Sequence, residues 1–106
     1  RTVDGKLQPE STKFPEGMAA LAEYLHNRSL LFGLYTCVGT TTCKGGRPGS
    51  YGHYEQDAKT LAEWGVDMVK MDHCSKPGNE TDQSLYGQMS KALNATGRPI
   101  LFSLCQ

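Results

Sequence analysis

The stretch Val66-Asp67-Met68-Val69-Lys70-Met71, running on into Asp72-His73-Cys74, decides the fold. It is apolar and β-prone, and Trp64-Gly65 closes off a helical pattern just before it. Two similar runs flank it, Leu30-Leu31-Phe32-Gly33-Leu34-Tyr35 upstream and Ile100-Leu101-Phe102-Ser103-Leu104 downstream. With Leu31, Val66 and Ile100 as markers, the runs recur at intervals of 35 and 34 residues. Helical stripes fill the gaps. Met18, Leu21, Ala22 and Leu25 follow the start signal Phe14-Pro15-Glu16-Gly17. Ala58, Leu61 and Ala62 follow Tyr54 and stop near Trp64-Gly65, with glycine as terminator. Leu85, Met89, Ala92 and Leu93 run to Gly97 and Pro99. The order is therefore helix, strand, helix, strand, helix, strand.

Strands alternating with helices at this interval imply βαβ crossovers and a parallel sheet. Near-continuous apolar runs suit strands covered on both faces. Such a sheet is either doubly wound or a closed barrel. No Gly-x-Gly-x-x-Gly follows a strand, and Gly45-Gly46-Arg47-Pro48-Gly49 lacks the Lys-Ser/Thr ending of a phosphate loop, which argues against nucleotide binding.

The 106 residues carry eleven Lys+Arg against eleven Asp+Glu, a formal net charge of zero. That argues against a nucleic-acid partner, which calls for basic excess, and against electrostatic docking on an anionic membrane. No apolar run approaches a membrane span. Hydrophobic content of 38% is slightly low for a self-sufficient globule. The chain opens on Arg1 without Met and closes at Gln106 directly after an apolar run, so the expectation is a piece of something larger.

In parallel α/β folds function gathers where strands end. Alternation places Lys70 and Asp72 on one face of the second strand, with Met68 below them and about 6.6 Å between successive same-face residues. An ammonium this near would lower the carboxylate pKa. An ionised, well-held Asp at that position is suited to be a nucleophile, and equally to cap a turn. Tyr35, read as the end of the first strand, is either a hydrogen-bonding group or a half-buried aromatic with a wet hydroxyl. Asp72, His73 and Cys74 are consecutive and lack a second Cys or His at zinc-finger spacing, so no metal site and no cofactor are expected. His26 and His53 read as a surface helix residue and a helix-start residue.

Cys43 and Cys74 each follow a strand by a few residues. Neighbouring loops on one face can bring them within disulfide distance, and the alternative is two free thiols in a reducing compartment. Closing such a loop of about thirty residues would stabilise by roughly 3–4 kcal/mol. Three sequons, Asn27-Arg28-Ser29, Asn79-Glu80-Thr81 and Asn94-Ala95-Thr96, favour the secretory route.

These motifs together carry a resemblance. Gly33-Leu34-Tyr35, Thr42-Cys43, Gly46-Arg47-Pro48-Gly49-Ser50-Tyr51-Gly52-His53, Asp57 through Asp67, and Lys70-Met71-Asp72-His73-Cys74 resemble the α-galactosidases of glycoside hydrolase family 27. Phe14-Pro15-Glu16-Gly17-Met18 and Leu93 through Ile100 fit as well, so the resemblance covers essentially the whole chain. Its most specific part is Trp64-Gly65-Val66-Asp67 leading into Lys70-Met71-Asp72 and Cys74.

The resemblance implies a (β/α)8 TIM barrel. Residues 1–106 would be an incomplete segment of that one catalytic domain, with about three strands and three helices of its N-terminal half. They would make up about two-fifths of a barrel of ~250 residues. It implies retaining hydrolysis of terminal α-galactosyl residues through two carboxylates. Carried over by position, Asp72 matches the nucleophile. Tyr35 and Lys70 match residues contacting the galactose ring. Cys43 and Cys74 match a disulfide bordering the pocket, which counts Cys43 among the substrate-side residues. Gln106 falls where relatives face the sugar 2-position, and Asn94 matches a site glycosylated in some relatives.

By the same resemblance the acid/base Asp lies past Gln106, and the aspartates holding the sugar 4- and 6-hydroxyls precede the segment. Cys105 would pair with a downstream cysteine. Cys37 stands where many relatives have a small or acidic polar residue, and His73 replaces Asn or Gly. The implied partner is an α-galactoside, with neither nucleic acid nor membrane. The implied location is extracellular, lysosomal or vacuolar, with room for a homodimer of the complete enzyme. The alternatives are an α-N-acetylgalactosaminidase of the same family or a non-catalytic sugar-binding relative.

Overall fold

The computed structural model describes residues 1–105. Helix α1 (Gly17–His26) precedes β1 (Gly33–Cys37), followed by α2 (Tyr54–Glu63), β2 (Met68–Asp72), α3 (Asp82–Ala95) and β3 (Leu101–Leu104). The strands form one parallel sheet in the order β1-β2-β3. Gly33 pairs with Met68 and Met68 with Leu101, so Tyr35, Lys70 and Ser103 stand side by side one step higher.

A parallel sheet whose strands are neighbours in chain order, with both crossovers on one side, is singly wound. Helices α2 and α3 pack against each other on that side. Val69 and Met71 of β2 point toward them and are fully buried with Ala58, Leu61, Leu85 and Met89. Fully burying one such aliphatic side chain contributes about 1.5–3 kcal/mol. The opposite face, bearing Tyr35, Lys70 and Leu101, is open, and Leu101 is 66% exposed. This three-stranded α/β unit is consistent with part of a barrel.

The strands begin later than the apolar runs do. Ser29 takes a positive φ of 58°. Its N–H bonds His26 O, and Leu30 N–H bonds Leu25 O. This six-to-one pattern ends α1 and captures Leu30 as the helix's last donor. Leu31 is then left 81% exposed, and the strand starts only at Gly33. The same motif recurs after α2, where Gly65 has a φ of 76° and Val66 N–H bonds Leu61 O. Val66 is thereby committed to the helix end, and β2 begins at Met68. At the other end β1 outruns the sequence reading. Tyr35 is mid-strand, and pairing of Thr36 with Met71 and Cys37 with Asp72 carries the ladder two residues further.

The segment before α1 is fastened by Arg1. Its guanidinium grips the fully buried Asp57 of α2 through both carboxylate oxygens, at 2.6 and 2.8 Å, and donates to the Gly5 and Gly49 carbonyls.

Candidate active site

Asp72 is the last residue of β2 and lies on the open face with Lys70 and Met68. Its two oxygens have different donors. The Tyr35 hydroxyl donates to Oδ2 at 2.9 Å from the neighbouring strand, and the His73 backbone N–H donates to Oδ1 at 3.0 Å. The pKa of Asp72 is lowered, first by the His73 N–H and next by Tyr35, against a smaller opposing effect of burial. Donors to the ionised form hold a carboxylate charged and fix its direction. Burial, and then the bond to Asp72, push the Tyr35 hydroxyl up, so the phenol stays a donor.

Lys70 does not supply the ion pair that its spacing suggested. It is exposed and makes no ion pair with Asp72 among the described residues. Same-face neighbours along a strand are about 6.6 Å apart and project in parallel, so nearer donors satisfy the carboxylate. Lys70 instead stands beside Tyr35 in the register.

His73, just past the strand end, turns away from that face. Its Nδ1 lies 3.1 Å from Asp82 Oδ2 at the start of α3, and Lys76 Nζ is 2.7 Å from the other oxygen. The residue whose N–H holds Asp72 is thus itself tied to the following helix, a tether that nothing in the sequence pattern announces.

The Cys43–Cys74 disulfide is present, with a Cα–Cα distance of 5.1 Å across 31 residues of sequence. It joins the loop after β1 to the loop after β2, at the rim of the open face. The join is tight, because a Cβ on Gly39 would collide with the backbone of Cys74 and Ser75. Thr40 N–H bonds Ser75 O in the same region. Cys37, on the Asp72 face, is fully buried under these loops. Tyr86 of α3 donates to the Cys105 carbonyl just beyond β3.

Among the other anticipated sites, Asn27, Asn79 and Asn94 are all exposed. His26 ends α1 and pairs with Asp67, and His53 stands at the start of α2. Gln106 lies outside the described residues. Asp57 and Asp67, whose partners are far away in the chain, were not singled out in the sequence because neither sits at a strand's C-terminal end.

Comparison with known proteins fits this geometry. The family model described as Alpha galactosidase A matches residues 1–106. The chain is 49% identical over 106 residues to an alpha-galactosidase of Coffea arabica, covering all of this chain and 28% of that protein. It is 50% identical over 104 residues to an alpha-N-acetylgalactosaminidase of Gallus gallus, covering 97% of this chain and 25% of that one. The solved alpha-galactosidase of Saccharomyces cerevisiae with raffinose superposes with a TM-score of 0.92 at 44% identity, over all of this chain and 24% of that one. The chain thus spans about a quarter of the length of the relatives it matches. On the family match across its whole length, the chain belongs to the alpha galactosidase A family of melibiases.

Proposed function

We propose that this chain carries the nucleophile's part of a retaining α-galactosidase site within a (β/α)8 barrel, residues 1–106 being an incomplete segment of that one domain. Asp72 attacks the anomeric carbon of a terminal α-galactosyl residue and forms the glycosyl-enzyme. A second carboxylate, supplied by chain beyond these residues, protonates the leaving oxygen and then activates water. Tyr35 and the His73 N–H hold the attacking carboxylate ionised and aimed, and Lys70 beside Tyr35 binds sugar hydroxyls. The Cys43–Cys74 bridge fixes the rim. No cofactor takes part.

The observation that carries this reading is the two-donor clamp on Asp72 at the C-terminal end of β2. A turn-capping Asp would accept from the backbone of its own turn. Here one oxygen is reserved for a hydroxyl on the neighbouring strand. The exposed sequons and the disulfide support passage through the secretory route to an extracellular, lysosomal or vacuolar site, with Asn94, Asn79 and Asn27 as glycan acceptors.

The test is covalent trapping in the complete protein. A fluorinated, activated α-galactoside that forms the glycosyl-enzyme quickly and releases it slowly should leave one sugar on the peptide containing Asp72. A sugar on any other carboxylate, or none with hydrolysis continuing, overturns the assignment. The chicken relative favours a second reading on substrate, since an N-acetylgalactosaminidase is as similar as the galactosidases. Paired aryl glycosides decide it, and faster turnover of the N-acetyl substrate reverses the choice of galactose.

A further inference from the structure

Cys37 is unexplained by the proposed chemistry. It ends β1 directly opposite Asp72 in the register, fully buried, with its thiol donating to the Cys74 carbonyl at 2.9 Å. Its sulfur, Cys43 Sγ and Cys74 Sγ all lie within 4.8 Å of one another. A free thiol is therefore stationed against a disulfide, where the chain just after β1 is pressed onto the chain just after β2. Val38 N–H bonds Asp72 O, Thr40 N–H bonds Ser75 O, and Gly39 has no room for a side chain against Cys74 and Ser75. The sulfurs are neighbours in the folded protein, and the in-line approach that exchange requires calls for a swing of Cys43 in its open loop.

We propose that Cys37, Cys43 and Cys74 form an intramolecular thiol–disulfide exchange site in which the bridge moves from Cys43–Cys74 to Cys37–Cys74. A local opening lets hydroxide take the Cys37 proton, and the thiolate attacks Cys74 Sγ. The Cys37–Cys74 bond forms as the Cys43–Cys74 bond breaks, and the electron pair leaves on Cys43 Sγ, which takes up a proton from water. One disulfide and one thiol exist before and after, so no outside oxidant or reductant is consumed.

The direction follows from the surroundings of the three sulfurs. Cys43 is exposed, in a loop whose Gly45 and Gly46 touch nothing where a Cβ would stand, so its thiolate is solvated and its loop can move out. Cys74 is partly buried, and Ser75 next to it is held by Thr40 and by a 2.9 Å hydroxyl bond from Thr41, which makes it the poorer leaving group and the better centre of attack. Full burial of Cys37 keeps bulky external reagents away while leaving the neighbouring disulfide in reach. The outcome is an exposed Cys43 thiol open to modification and a rim loop released from β2.

The test uses the complete protein, isolated without reductant and held natively at mildly alkaline pH with iodoacetamide, then digested without reduction. Expected is a Cys37–Cys74 linked peptide pair together with alkylated Cys43. Both should grow with time, faster at higher pH and independently of protein concentration. In Cys37→Ser both signals should fall to background with Cys43–Cys74 intact, and Cys37→Ala serves if the serine variant folds poorly. Cys105→Ser should leave the exchange unchanged. A Cys43–Cys74 bond that persists, with Cys37 alkylated only after denaturation, overturns the proposal. So does a Cys37–Cys43 product, or exchange that needs Cys105.

Discussion

Tyr35 of β1 and Asp72 of β2 are bound across adjacent strands by a 2.9 Å hydroxyl-to-carboxylate hydrogen bond. The two are not register partners, since Tyr35 pairs with Lys70 and Asp72 with Cys37. The long phenol reaches one step up the sheet, as diagonal same-face neighbours can.

Removing that reach should be legible as a pH effect. Tyr35 is the second cause, after the His73 N–H, of the lowered Asp72 pKa. Both favour the ionised form. Tyr35→Phe therefore raises the carboxylate pKa, and the fraction of ionised nucleophile at a given acidic pH falls. The acid limb of kcat/KM should move to higher pH. Because Tyr35 is 46% exposed, the loss at neutral pH should be modest, about 1 kcal/mol or roughly fivefold. An acid limb that does not move would show that the hydroxyl does not act on the nucleophile.

Asp72→Asn keeps the shape of the side chain and its acceptor toward Tyr35 while removing the nucleophilic charge. Turnover in the complete protein should fall by on the order of a thousandfold or more. The urea midpoint should stay close to the parent's, because the group is partly exposed at the strand end. Near-normal kcat would remove Asp72 from the chemistry.

What was legible in the sequence, and what was not, divides by range. The three helices, the alternation of helix and strand along the chain and the face shared by Met68, Lys70 and Asp72 follow from local periodicity and appear as read. The start of β1 was misplaced because Ser29, not a glycine, takes the left-handed position after α1, leaving Leu30 to look like strand. The electrostatics of Asp72 were misassigned to Lys70 because a same-strand neighbour is visible in sequence and a donor from the next strand is not. The resemblance supplied Tyr35, and the Cys43–Cys74 pairing, for the same reason. Residue spacing alone left both open.

The Arg1–Asp57 pair joins residues 56 positions apart and belongs to this long-range class. Asp57 is fully buried and Arg1 nearly so. Arg1→Ala leaves a buried carboxylate without its cation, at a cost of about 3–5 kcal/mol. The urea midpoint should drop accordingly with an unchanged slope. Replacing both, as Arg1→Met with Asp57→Leu, should recover most of that loss, since a packed apolar pair avoids desolvating two charges. If the double variant is as unstable as Arg1→Ala alone, the ion pair itself, and not the burial of an unpaired charge, sets the stability.

At the opposite end of the strands, Asp67 ties three elements together. Its Oδ2 accepts from Phe32 N–H at 2.7 Å and lies 2.6 Å from His26 Nε2, and its Oδ1 accepts from Arg98 at 2.9 Å. Burial pushes this carboxylate up, but the Phe32 N–H, His26 and Arg98 together outweigh it and the pKa is lowered. A carboxylate depressed in the folded state stabilises above its unfolded value of about 3.9, and that contribution disappears as pH falls through the folded value. Asp67→Asn should thus be less stable than the parent at neutral pH by about 1–3 kcal/mol. The gap should narrow as the medium is acidified through and below the carboxylate range, because the parent loses there what the variant never had. Urea midpoints of both proteins across that range check the sign. Parallel curves would mean that the three contacts act through shape rather than charge, and the His26 and Arg98 partners would then be packing groups only.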